Sequence, residues 1–181
     1  MDTGIILKIL VVGDEGVGKT CLIKRFADNI FPDTSKQTIG VDFTVKKIRI
    51  GDKLVKLQIW DFGGHSYYRQ IQYTFCEGAK GVILAFDLSN TSTFKNLSSW
   101  AAFLKDAVEE DTPKILVGTK SDLKWPRPLI KEIRSFIEKN KFQNYFETSA
   151  KENISVQPPF HYLAKTIIKQ HIKTPHTPLI F

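Results

Sequence analysis

Three stretches of the chain are apolar almost without interruption: Ile5–Val12, broken only by Lys8, then Val82–Phe86 and Ile115–Val117. Short runs without alternation predict strands covered on both faces, as in the interior of a parallel sheet. After Thr91, the residues Phe94, Leu97, Ala101, Leu104 and Val108 recur at spacings of three and four, so one face of a helix there is apolar and packs on the sheet. Val55, Leu57 and Ile59 instead alternate with Lys56 and Gln58, and Gly51-Asp52 sets this run apart from Val41–Ile50. That pattern predicts a hairpin of two strands, Val41–Ile50 and Lys53–Trp60, and with it one antiparallel edge strand. Within the first strand the apolar phase shifts across Lys46-Lys47, from Val41, Phe43 and Val45 to Ile48 and Ile50, which suits a bulge. Pro158-Pro159 fits the first turn of a final helix from Phe160 to about Lys169, and Thr174 to Pro178 reads as a frayed tail.

Strands alternating with helices give an open α/β sheet whose ligand sits at the carboxyl ends of the strands. The 181 residues, 42% hydrophobic and 25% charged, make one ordinary globular domain and exclude disordered or membrane classes. We expect that domain over residues 1–172, with a short tail at 173–181. A net charge of +7 favours anionic partners, but no long basic run and no interleaved aromatic and basic groove points to nucleic acid. Cys21 and Cys76 are too few for a disulfide framework or structural zinc and suit a reducing compartment. The apolar start leads into a glycine loop rather than a cleavage site, so a cytoplasmic monomer is expected. No cysteine stands near Phe181 to take a prenyl group, so any membrane association would run through partners.

The loop after the first strand carries the chemistry. Gly13-Asp14-Glu15-Gly16-Val17-Gly18-Lys19-Thr20 fits the G-x-x-x-x-G-K-[ST] phosphate loop, directly after an apolar strand and directly before a helical run. Glycines let backbone N–H groups turn towards phosphate oxygens, Lys19 reaches the β/γ-phosphates, and Thr20 can ligate magnesium. The expected nucleotide contacts here are Glu15, Gly16, Val17, Gly18, Lys19, Thr20 and Cys21. The loop alone suits an ATPase, a nucleotide kinase or a GTPase.

Four further segments, in order, make the chain resemble the small GTPases of the Ras superfamily, closest to the Rab branch, from about Ile5 to the last helix. Thr38-Ile39-Gly40-Val41-Asp42-Phe43 resembles the first switch of Rab proteins; Trp60-Asp61-Phe62-Gly63-Gly64-His65 resembles W-D-T-A-G-Q; Gly118-Thr119-Lys120-Ser121-Asp122 resembles the N-K-x-D guanine loop; Ser149-Ala150-Lys151 resembles S-A-K. The resemblance implies a P-loop NTPase-type G domain, a mostly parallel six-stranded sheet with one antiparallel edge strand and helices on both faces. It implies a GTP/GDP switch with Mg²⁺ as cofactor, the metal held by Thr20, Thr38 and Asp61. Gly64 would meet the γ-phosphate through its N–H. Guanine would be read by Asp122, the stem of Lys120 and the N–H of Ala150, within a pocket formed with Thr119, Phe31, Ser149 and Lys151, where Ser149 braces the aspartate loop. Effectors, exchange factors and activating proteins would engage the two switches, Thr38–Phe43 and Trp60–Phe75, with Phe43, Trp60 and Phe75 matching a surface aromatic triad; packing alone would also account for those aromatics.

For catalysis the resemblance implies attack of water on the γ-phosphate, with Lys19 and Gly64 stabilising charge and His65 orienting the water in place of the family's glutamine. Phe62 and Gly63 replace Thr and Ala, and Glu15 brings a carboxylate beside the phosphates, an electrostatic cost. Slow hydrolysis is therefore expected. The alternatives are a guanine-nucleotide-binding module with negligible hydrolysis and a P-loop ATPase or small-molecule kinase.

Overall fold

The computed structural model describes residues 4–32, 37–65, 69–124 and 130–173. Strands β1 (Ile5–Val12), β2 (Val41–Ile50), β3 (Lys53–Phe62), β4 (Gly81–Asp87), β5 (Lys114–Thr119) and β6 (Asn144–Glu147) form one sheet in the order β2-β3-β1-β4-β5-β6. Every neighbouring pair is parallel except β2–β3, which places the single antiparallel strand at the edge. The helices are α1 (Lys19–Asp28), α2 (Arg69–Thr74), α3 (Thr91–Lys95), α4 (Leu97–Ala107), α5 (Ile130–Lys139) and α6 (Gln157–Lys173).

The unalternating strands have a core on each side. Leu7, Ile9, Val11, Ile83, Ile115 and Val117 point to the face covered by α1 and α6, where Phe26 stacks on Phe160 at 3.9 Å between ring centroids. Leu10, Val12, Leu84, Phe86 and Leu116 point to the other face, against Leu97, Trp100 and Leu104 of α4 and Ile133 of α5. Burial on both faces explains why these sequences show no period of two.

Three local expectations change. No bulge interrupts β2: its pairing with β3 runs continuously from Val41↔Phe62 to Ile50↔Lys53. The phase shift reflects a change of apolar face instead. Phe43 and Val45 are exposed on the outer face, whereas Ile48 joins the core on the inner one, and Lys46 bridges the change by donating its ammonium to the Ala27 carbonyl. The helix after Thr91 is two helices broken at Asn96, and its buried stripe runs through Thr93, Leu97, Trp100 and Leu104 rather than through Ala101. The last helix starts at Gln157 and continues to Lys173, a residue expected in the tail; residues 174–181 lie outside the described ones.

Candidate functional site

β1 delivers the chain into the loop Gly13–Gly18, and α1 begins immediately at Lys19. No side chain caps the start of α1, so its first N–H groups and the positive end of its dipole face the cleft above the sheet. Lys19 is 5% exposed, and its ammonium donates to the carbonyls of Gly13 (2.8 Å) and Asp14 (2.7 Å). Burial pulls its pKa down to about 8, opposed by the carboxylates of Asp61, Asp14 and Glu15. A lysine held in this way is a desolvated cation at the wall of the cleft.

The cleft has a volume of about 490 Å³. Of the residues expected at the nucleotide, Glu15, Gly16, Gly18, Lys19, Thr20, Cys21, Phe31, Thr38, Gly64, Thr119, Lys120, Asp122, Ala150 and Lys151 line it. Val17 does not: it is fully buried, and its carbonyl accepts the hydroxyl of Thr119. Ser149 is also fully buried and outside the lining, its hydroxyl accepting the N–H of Glu152 at 3.0 Å. The brace between the two base loops comes instead from the Thr148 carbonyl, which accepts the Ser121 N–H at 3.0 Å.

At the phosphate end, three oxygens from separate elements meet. The hydroxyls of Thr20 and Thr38 lie 2.9 Å apart, Thr20 donates to Asp61 Oδ2, and Thr38 reaches the same oxygen at 3.5 Å. Asp61 ends up 4% exposed, with Oδ1 buried and without a hydrogen-bond partner among the described residues. Burial raises its pKa, opposed first by the Thr20 hydrogen bond and then by Lys19. Two hydroxyls and a carboxylate with an unused buried oxygen suit a small hard cation of the magnesium type.

The departures Phe62 and Gly63 have structural causes. Phe62 is fully buried in the core beneath α4, facing away from the cleft. A Cβ at position 63 would stand 2.5 Å from the Thr38 carbonyl, and one at position 64 would stand 2.0 Å from the Glu15 nitrogen. Both glycines are required by this close approach of three segments. His65 is exposed and does not line the cleft.

Several contributors escape the sequence patterns. Asp14 accepts from Asn96 Nδ2 (2.7 Å) and Trp100 Nε1 (2.8 Å), tying the phosphate loop to α4. Lys120 bridges Asp87 (2.6 Å) and the Gly16 carbonyl (2.8 Å). Arg25 donates to the Ala150 carbonyl at 2.7 Å, joining α1 to the second base loop. Asp14 occupies an unspecified position of the loop pattern, and Asp87 and Arg25 lie in other elements, so only their proximity in the fold marks them.

The assembled features are those of a nucleotide cleft, and the comparison with known families decides which kind. A sequence model of the Ras family matches residues 8–169. The chain belongs to the Ras family. This Ras-family protein is 37% identical over 171 residues to Ras-related protein Rab-10 of Diplobatis ommata, covering 94% of the chain and 84% of that relative. It is 38% identical over 168 residues to GTP-binding protein yptV2 of Volvox carteri (92% and 77% covered), and 36% identical over 163 residues to Ras-related protein Rab-13 of Mesocricetus auratus (90% and 80% covered). It is thus a Rab-like small GTPase, a nucleotide-dependent switch of a family that hydrolyses GTP. Among the described residues no helix is long and apolar enough to cross a membrane.

Proposed function

We propose that this Ras-family protein binds a magnesium–guanine-nucleotide complex in the cleft, hydrolyses GTP slowly, and offers two nucleotide-sensitive segments to partner proteins. The observation that carries the reading is the meeting of Thr20, Thr38 and Asp61 beside Lys19, with an unused carboxylate oxygen on Asp61. Magnesium bound there would neutralise charge on the phosphate oxygens. Lys19 carries its proton to the β/γ-phosphates, the Gly64 N–H meets the γ-phosphate, and Thr38 stays in place only while that phosphate holds its segment. At the base, the Asp122 carboxylate accepts two N–H groups that guanine has and adenine lacks. Lys120, Phe31, Thr119, Ala150 and Lys151 enclose the rest.

In this reading His65 orients the attacking water and Glu15 slows the reaction by adding negative charge beside the phosphates. Effectors, exchange factors and activating proteins engage Thr38–Phe43 and Trp60–Phe75. Phe43, Trp60 and Phe75 form a connected cluster, with ring centroids 5.1 and 5.5 Å apart, and Phe43 is 45% exposed. We place the protein in the cytoplasm as a monomer that reaches membranes through partner proteins. A second reading, a binding module with negligible turnover, is favoured by the position of His65 outside the cleft.

The test is the identity of the nucleotide released on denaturing the purified protein, read by chromatography. Guanine nucleotide supports the reading. Adenine nucleotide would move the protein to the ATPase class.

A further inference from the structure

Gln72 has no part in the nucleotide reading, yet it is one of the few fully buried polar side chains. It lies in α2, and its Nε2 donates to the Gly63 carbonyl at 2.6 Å, while its Oε1 is buried without a partner among the described residues. Its own carbonyl accepts the Phe75 N–H at 3.0 Å and the Cys76 thiol at 3.3 Å, which fixes the residue from behind. A buried amide with one satisfied end is costly, so packing alone is a poor reason for it.

The acceptor explains its use. The Gly63 carbonyl and the Gly64 N–H belong to one planar trans peptide and point in opposite directions across it. Holding the carbonyl from the α2 side therefore fixes the direction of the N–H on the opposite side of that peptide, in a glycine that lines the cleft and packs against the phosphate loop at Glu15. Gly63 is also tied to the first switch segment, because its N–H donates to the Gly40 carbonyl at 2.8 Å. We propose that Gln72 is a positioning residue that aims the Gly64 N–H at the γ-phosphate, and so sets the preference of the protein for triphosphate over diphosphate. The proposal rests on the guanine-nucleotide reading above and adds to it the side chain that couples α2 to the phosphate.

The test compares wild type with Gln72→Met, which keeps length and bulk but cannot donate, and Gln72→Glu, which replaces the donor by an acceptor. Affinities for GDP and for a non-hydrolysable GTP analogue are measured in magnesium by titration calorimetry. Both variants should lower the triphosphate-to-diphosphate affinity ratio about ten-fold, with GDP binding little changed. A parallel loss for both nucleotides, or an unchanged ratio, would overturn the positioning role while leaving the nucleotide reading intact. Failure of the wild type to bind either nucleotide would overturn both. Should the variants not fold, hydrogen exchange of the Gln72 side-chain amide in wild type decides. Greater protection with the triphosphate analogue than with GDP is expected, and equal protection in the two complexes overturns the proposal.

Discussion

Lys19 illustrates how one residue proposed for binding is held at the expense of the fold. Its pKa of about 8 lies below the ordinary 10.5, so the charged form is disfavoured in the folded state; the cost is present below pH 8 and fades as pH rises towards 10.5. Lys19→Met removes that buried charge. We expect nucleotide-free protein at pH 7 to be at least as stable as wild type in urea denaturation, while nucleotide affinity falls by about a hundred-fold through loss of charged hydrogen bonds. For His65 and Glu15 the proposed effect is on turnover instead. His65→Gln and Glu15→Ser should each accelerate single-turnover GTP hydrolysis, and a wild-type rate equal to or above theirs would refute the expectation that these departures make hydrolysis slow. The two cysteines differ by exposure. Cys76 is 1% exposed and burial pushes its pKa up to about 11, whereas Cys21 is half-buried and lines the cleft. Iodoacetamide at pH 8, followed by mass spectrometry, should label Cys21 in nucleotide-free protein, with bound nucleotide protecting it, and should spare Cys76 until unfolding.

At the scale of elements, the site depends on links between segments that a linear pattern does not join. Thr119, at the end of β5, donates its hydroxyl to the Val17 carbonyl and lies 3.0 Å from the Phe86 carbonyl, so one side chain holds the phosphate loop, β4 and the base loop together. Thr119→Val keeps the shape and strands these carbonyls. Thermal denaturation should show a loss of about 1–3 kcal/mol, accompanied by faster nucleotide release. The long strands and the hairpin were legible because periodicity reports directly on which faces are buried. The break at Asn96 was not, since Asn90 caps α3 locally while Asn96 turns to Asp14 across the fold. The apparent bulge in β2 misled for a related reason: a strand whose apolar residues change from an outer patch to the inner core mimics a slip in phase.

Across the whole molecule, the cleft gathers residues from α1 and from the segments that follow β1, β3, β5 and β6, so binding there should stabilise the domain as a unit. With ligand at a thousand times its dissociation constant, linkage contributes about 4 kcal/mol. GDP or GTP with magnesium should therefore raise the melting temperature by several degrees; ATP should not, and chelation of magnesium should remove most of the effect. The phosphate loop, the order of the guanine motifs and the central strands were determined by the sequence itself, because each depends on residues adjacent in the chain and on local backbone requirements. Tertiary structure alone decided that Val17 and Ser149 turn inward, that Phe62 is core, that Gly63 is demanded by the Thr38 carbonyl, and that Gln72 grips the peptide ahead of Gly64. Those outcomes depend on distances between segments far apart in sequence, and only the packed sheet and helices set such distances.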